Sequence, residues 1–356
     1  MADARIAEAV KAALAGVEIP GGGALAGYGG LSEIIVTTGA VAFAISVAPG
    51  MEAAFGPARA AAQAAAEKVV EGRKVMVSLT SDKTAAAQGH APQRGVPDKQ
   101  AVPGIRHIIA VGSGKGGVGK STVAVNLALS FAAEGLRTGI LDADLYGPSI
   151  PKLLGIEGKP AVREDGIFSP HESFGLKAMS IGSMLTPDQA VVWRGPMATS
   201  ALRQLLRETD WGGLDVLVVD LPPGTGDIQI SLVQQVPLAG AVIVSTPQDL
   251  ALIDAKKAID MLKRTNIPLL GIVENMSYFV APDTGKRYDI FGHGGAQAAA
   301  SRLELPFLGE LPLHIAIRET SDAGKPVVAT RPDGVEAKAF RSIASKILAA
   351  QPQLRA

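Results

Sequence analysis

The sequence predicts an α/β fold in which a mostly parallel sheet flanked by helices follows a small α/β domain. Short apolar runs alternate with helical patterns after residue 104: HIIAV, TGILDAD, LKAMSI, DVLVVDLP, GAVIVST, PLLGIVEN and PFLGELP. Runs this continuously apolar suit strands covered on both faces, and the intervening segments are long enough for crossover helices. The third observation is a break in pattern. From Ser81 to Pro103, SDKTAAAQGHAPQRGVPDKQAVP, three prolines and scattered charges carry no apolar period, so residues 1–80, 81–103 and 104–356 read as domain, linker and domain.

In the first domain a helix is expected over Ala2 to Leu14, then two strands within EIIVTTGAVAFAISV divided at the Thr38-Gly39 turn signal. An alanine-rich helix around Phe55 to Val70 and a strand from Lys74 to Leu79 complete it. The module has no histidine and no run of like charge, so an interaction or docking role is expected rather than a catalytic one.

Composition sets limits. The 356 residues are 47% hydrophobic and carry 34 basic against 34 acidic side chains, enough for a large core and without a net field to attract nucleic acid or anionic lipid. There is no cysteine, which excludes disulfides and any thiolate metal site made by this chain alone. The opening residues, MADARIAEAVKAALAG, carry charges inside their apolar stretch, and no run of about 18 uncharged apolar residues occurs anywhere. A cytoplasmic protein without nucleic-acid or membrane partners is expected.

Open sheets of this kind bind ligands at the carboxyl ends of their strands, and the motifs cluster there. After HIIAV, Gly114 is followed by four residues and then Gly119-Lys120-Ser121, the phosphate-loop pattern. Glycines let backbone N–H groups converge on phosphate oxygens, and the helix beginning near Lys120 adds its positive end. The nucleotide-binding stretch is Gly112, Ser113, Gly114, Lys115, Gly116, Gly117, Val118, Gly119, Lys120, Ser121 and Thr122. Lys120 is expected to reach the β- and γ-phosphates, and the Ser121 hydroxyl to ligate Mg2+. The same stretch satisfies GxGxxG through Gly112, Gly114 and Gly117, with Asp142 closing the next strand where a dinucleotide ribose partner would stand. That alternative explains neither the Gly119-Lys120-Ser121 ending nor a second acidic cluster.

The acidic residues lie in DADLYGPS, with Asp142 and Asp144, and in DLPPGTGD, with Asp220 and Asp227. Singly, each would be expected to cap a helix or turn. Four at strand ends beside a phosphate loop suit nucleotide hydrolysis, which needs one carboxylate in the metal shell and another to place the attacking water. Asp220 is assigned to the metal and Asp144 to the water, with Asp142 competing for the second role.

KGGVGKST resembles the deviant phosphate loop of the MinD, ParA, Get and nitrogenase iron-protein class of dimeric ATPases. GSGKGGVGKSTVAVNLA, DADLYGPSIPKLLG, VWRGPM, DVLVVDLPPGTGD, VSTPQDLALIDAKKAIDM, GIVENMS and IFGHGG together resemble the Mrp family more closely, bacterial ATPases regarded as iron–sulfur cluster carriers or assembly factors. The likeness covers about Ile105 to Arg331, and the N-terminal module resembles the domain many such proteins carry. It implies a P-loop NTPase fold, bound ATP and Mg2+, a homodimer, and iron–sulfur scaffolds or apoproteins as clients. It also implies that Lys115 reaches across the dimer to the partner subunit's phosphates, that Asn275 contacts adenine, and that Pro247 and Gln248 frame the nucleotide pocket. A positioning ATPase of ParA or MinD type, binding DNA or membrane, is the alternative.

The sequence departs from the family in ENMSYFVAPDTGKRYDIFGHGG. Relatives carry a CxxC pair there, two of which bridge a [4Fe–4S] cluster across the dimer; here the positions hold Ala281 and Thr284, with Pro282 and Asp283 between. None of these supplies a soft thiolate, so any cluster must be held by a partner's cysteines, or else by His293 and nearby groups as substitute ligands. His293 is expected to set its loop by hydrogen bonding, and His107, His171 and His314 to be surface or cap residues. In the last segment, VEAKAFRSIASKILAA, Phe340, Ile343 and Ile347 at helical spacing are expected to pack on the sheet rather than on a membrane.

Overall fold

A computed structural model describes residues 2–32, 34–36, 40–48, 50–70, 74–81, 100–184 and 195–355. The chain divides into two units, Met1–Arg94 and Gly95–Ala356. The Thr38-Gly39 turn, most of the expected linker (82–99) and residues 192–194 of the VWRGPM motif lie outside the described residues.

In the first unit α1 (Ala2–Ala13) precedes a three-stranded sheet of β1 (Ile35–Val36), β2 (Ala40–Val47) and β3 (Lys74–Ser81). β1 and β2 pair antiparallel and β2 and β3 parallel, so α2 (Glu52–Glu67) is a crossover helix. Ala58, Ala62 and Ala66 recur every fourth residue on α2 and are buried, a stripe of small side chains that lets the helix lie close against its core. Phe43, Ile45, Phe55 and Leu14 fill that core.

The second unit opens with β4 (Ile105–Gly112), α3 (Lys120–Ala133), β5 (Thr138–Asp142) and α4 (Ile150–Leu154). A small hairpin, β6 (Ala161–Val162) with β7 (Phe168–Ser169), leads into β8 (His171–Ser173) and β9 (Leu176–Ser180). Then come α5 (Gly195–Arg207), β10 (Leu214–Asp220), α6 (Asp227–Gln235), β11 (Leu238–Ser245), α7 (Asp249–Arg264) and β12 (Leu269–Glu274). A second hairpin, β13 (Phe279–Val280) with β14 (Arg287–Tyr288), precedes α8 (Gly295–Arg302) and β15 (Phe307–Glu310), and the chain closes with α9 (Ile315–Asp322), α10 (Val327–Thr330) and α11 (Val335–Ala350).

The main sheet runs β15-β12-β11-β4-β10-β5-β9-β8, and every pairing is parallel except the edge strand β8 on β9. Alternate residues of the central strands serve opposite cores: Ala110, Leu217, Val219 and Ile243 face one, and Ile109, Val216, Val218 and Val242 the other. Helices cover both faces, which is why the strands read as unbroken apolar runs. Phe340, Ile343 and Ile347 of α11 are buried in the core shared with α3, so that apolar face is spent inside the unit. Residues 100–104, expected as the linker's end and the start of the domain, are tied down instead: Val102 is a core residue, Arg207 donates to the carbonyls of Gln100 and Ala101, and Leu214 N–H donates to Gly104. Among the described residues no helix is long and apolar enough to cross a membrane.

Candidate functional site

The order of the sheet positions the site. β4 lies between β10 and β11, so β10 separates β4 from β5. A dinucleotide fold would set the strand bearing Asp142 directly beside the one leading into the glycine loop. Here Asp142 is one strand removed, and Asp220, on the adjacent strand, stands next to the loop.

The loop turns on Gly117 and Gly119, with φ of 79° and 78°, a region that side chains rarely adopt. Gly114 is required for a different reason: a Cβ there would overlap the backbone of Asp254 and Ala255 in α7. The loop is therefore wedged against α7 and enters α3 through Gly119. Ser113 is fully buried and its hydroxyl donates to the Lys115 carbonyl at 2.9 Å. Asn275, just beyond β12, donates from Nδ2 to the Val118 carbonyl at 2.8 Å, bracing the loop from the side with one of the two donor hydrogens of its amide. Gly112 and Val118 are buried, Gly116 exposed, and Thr122 accepts from Asn126 within α3.

The two lysines of the loop part ways. Lys120 is 6% exposed and turns inward, where its Nζ pairs with the Asp220 carboxylate, lies 3.8 Å from Asp144 and 3.3 Å from the Ser121 hydroxyl. Lys115 stays partly exposed and points to no acid among the described ion pairs. The Ser121 hydroxyl, like the Lys120 ammonium, favours the ionised form of the Asp220 carboxyl. Asp220 Oδ2 is buried without a partner, so a hydroxyl and a carboxylate oxygen with an open lone pair stand together, a donor set that fits a hard cation such as Mg2+.

Asp142 serves otherwise. Its carboxylate accepts from the backbone N–H groups of Asp144, Ser149 and Ile150 and from the Ser180 hydroxyl, at 2.9–3.1 Å. It thereby folds the loop that carries Asp144 and starts α4. Burial, then the negative charge of Asp220, pushes its carboxyl up to about 7, with the Ile150 N–H, the Ser180 hydroxyl and the Asp144 N–H opposing. Asp220 is raised as well, first by burial, with Lys120 pulling the other way. Asp144 is nearly buried and accepts from Gly147 N–H at 3.3 Å. Asp227 begins α6.

Pro247 and Gln248 connect β11 to α7, and Gln248 is the residue preceding that helix. A side chain on Gly295 would overlap the Pro247 carbonyl, so this corner packs tightly on the start of α8. Backbone bonds stitch the strand ends together: Leu221 N–H to Val111, Gly224 N–H to Ser113 and Ala143 N–H to Asp220.

Ala281 and Thr284 lie on the turn of the β13–β14 hairpin, closed by Ala281 N–H to Lys286 and Gly285 N–H to Ala281, with Pro282, Asp283 and Thr284 exposed. Nothing on that turn suits an iron–sulfur cluster.

Beside it lies a network that sequence reasoning missed. Glu274, fully buried at the end of β12, accepts from the Ser277 hydroxyl and from the N–H groups of Gly294 and Ala296, fixing the start of α8. Glu274, His293 and Glu310 each bring a ligand atom within 4.8 Å of the others. However, Nδ1 of His293 faces Glu274 at 4.0 Å while Nε2 faces Glu310 at 3.6 Å. Arg287, stacked on Tyr278, occupies the gap 2.8 Å from Nδ1. A cation is already supplied there, and the histidine sets its loop by hydrogen bonding. His314 caps α9, accepting from Ala316 N–H; His107 and His171 lie in β4 and β8, where burial lowers the pKa of His171.

A ParA family profile described as NUBPL iron-transfer P-loop NTPase matches residues 104–348. An iron–sulfur cluster carrier protein of Deinococcus radiodurans is 53% identical over 256 residues, 72% of each chain. The iron–sulfur cluster transfer protein NUBPL of Mus musculus is 50% identical over 257 residues, 72% of this chain and 81% of that one. Among solved structures, a nucleotide-binding protein from Archaeoglobus fulgidus in complex with ADP is 41% identical, covers 66% of this chain and 92% of its own, and superposes with a TM-score of 0.58. The cell-division ATPase MinD of Pyrococcus furiosus, at 24% identity, a TM-score of 0.53 and coverage of 68% of this chain and 99% of that one, shares the fold.

Proposed function

The chain belongs to the NUBPL iron-transfer family of P-loop NTPases, and on that premise we propose that it is a cytoplasmic, homodimeric, Mg2+-dependent ATPase that uses ATP binding and hydrolysis to pass an iron–sulfur cluster between other proteins. The observation that carries the proposal is the convergence of Lys120, Ser121, Asp220 and Asp144 on one glycine loop.

Lys120 presents its ammonium group to the β- and γ-phosphates, and Ser121 with Asp220 would hold Mg2+. When bound, the ion neutralises phosphate charge. Asp144, at the rim of the loop that Asp142 folds, positions the attacking water. Asn275, Pro247 and Gln248 border the nucleoside. Lys115, in none of the described ion pairs, serves the partner subunit's phosphates, adding charge where the transition state is most negative.

Exposed apolar side chains support the dimer. Leu250 and Ile253, on the α7 segment against which the loop is wedged, are 73% and 55% exposed, and Tyr146, beside Asp144, is 69% exposed. Exposed apolar side chains near a polar site suit a face covered by another copy.

The relatives' names place iron–sulfur clusters with them; in this chain, with no cysteine, the cluster is cargo whose ligands come from client proteins. Anaerobic reconstitution with iron and sulfide is expected to leave the isolated chain without a stoichiometric cluster, whereas the chain with ATP speeds transfer from a cysteine-bearing scaffold to an apoprotein. A full cluster on the isolated chain, or transfer indifferent to the chain, overturns the proposal.

A further inference from the structure

Gln229, near the start of α6, is 1% exposed, and neither end of its carboxamide has a hydrogen-bond partner among the described residues. Buried side-chain amides are nearly always paired, because an unpaired one loses its hydration without compensation. An apolar residue of the same shape would fill the space at no such cost.

Its surroundings connect the amide to the reaction. Nε2 lies 3.8 Å from where a Cβ on Gly112 would stand, a position also closed off by Leu221 at 3.5 Å and Ile243 at 3.7 Å. Gly112 sits between Val111 and Ser113, whose carbonyls accept from Leu221 and Gly224. These two bonds tie the Asp220–Gly226 segment to the phosphate loop, and Gln229 abuts the residue between the two acceptors. The same segment begins at Asp220, whose Oδ2 is likewise buried and unpaired. Two orphaned polar groups therefore bracket one short connection, from the end of β10 to the first turn of α6.

With an unspent acceptor at one end and an unspent donor and acceptor at the other, this connection would gain from an arrangement in which they are paired. We propose that Gln229 is a positioning residue for ATP hydrolysis: its amide is unpaired in the arrangement described here and pairs with backbone groups of the phosphate loop or of the Asp220–Gly226 segment when a γ-phosphate draws that segment in. The pairing makes the hydrolysis-competent placement of Asp220 depend on the third phosphate. The inference rests on the nucleotide reading of the site.

The test uses the full chain and the substitution Gln229→Met, which keeps the shape and removes the polar atoms. Melting temperature is expected to rise, the Kd for ATP to stay within twofold, and kcat to fall at least tenfold. Hydrogen–deuterium exchange over residues 220–229 is expected to differ between ADP and a nonhydrolysable ATP analogue in the wild type, and the difference to vanish in the variant. An unchanged kcat, a lowered melting temperature or a persisting exchange difference overturns the inference. So does a wild type whose exchange in this segment is the same with both nucleotides, a measurement that needs no variant. A wild type that binds ATP, with a Gln229→Met variant that hydrolyses it equally well, sinks this inference alone; a wild type without affinity for ATP sinks the nucleotide reading too.

Discussion

Asp142 and Asp220 stand opposite one another in register at the carboxyl ends of the neighbouring strands β5 and β10, both fully buried, and only Asp220 is given a cation. Like charges so placed disfavour joint ionisation, and the chain resolves this by giving the two acids different partners. Lys120 serves Asp220, while backbone amides and a hydroxyl serve Asp142. One acid faces the phosphate loop and the other folds a neighbouring loop.

The two lysines are expected to separate in their effects. Lys120→Ala leaves the buried Asp220 charge unpaired, which costs about 3–5 kcal/mol, and removes the phosphate contact, so both stability and ATP binding fall. Lys115→Ala should leave binding by the monomer within a few-fold and reduce turnover by roughly 10³-fold, the scale of a charge supplied in trans. Calorimetric midpoints, ATP titration and steady-state turnover distinguish them. Equal and complete loss of binding in both variants removes the role of Lys115 across the dimer.

Asp144→Asn and Asp142→Asn probe the division between water placement and loop folding. The first should lower kcat by about 10²–10⁴ with little change in melting temperature. The second puts an amide nitrogen in place of one accepting oxygen, against the Asp144 N–H at Oδ1 or the Ser149 and Ile150 N–H groups at Oδ2, and should destabilise the protein by about 1–3 kcal/mol. The opposite pattern in turnover and melting would exchange the two roles.

Leu250→Asp and Ile253→Asp place charge on apolar side chains that are more than half exposed. Sedimentation with a nonhydrolysable analogue and Mg2+ is expected to show a dimer for the wild type and monomers for either variant, with monomer ATP affinity kept. Variants that still dimerise move the interface elsewhere.

Acid lability should be readable at Asp215. Hydrogen bonds from Arg137 hold this carboxyl down at about 2 against an ordinary 3.8. Between those values the unfolded chain takes up the proton first, so the stabilisation is present above about pH 4 and is lost as pH falls toward 2. Wild type should exceed Asp215→Asn by about 1 kcal/mol at neutral pH, because the Arg137 side chain is largely solvated. Denaturation midpoints should converge as pH falls below about 2. A gap that persists there excludes the pair as its source.

Residue order alone determined the alternation of strands and helices, because a sheet covered on both faces must be built from continuous apolar runs; it also set the phosphate loop, whose glycines answer to local backbone geometry at Gly117 and Gly119. The missing thiolates at Ala281 and Thr284 were equally legible. Tertiary structure alone decided what depends on strand order and register. It put β10 between β4 and β5, which gives the lysine of the loop to Asp220 and leaves Asp142 to fold its own loop. It turned Lys120 inward and left Lys115 outside, pinned Asn275 to Val118, and buried Gln229 without a partner. Lys120 and Asp220 are 100 residues apart in the chain, and no local pattern encodes a partner at that separation; the sheet has to assemble before either side chain has anything to meet.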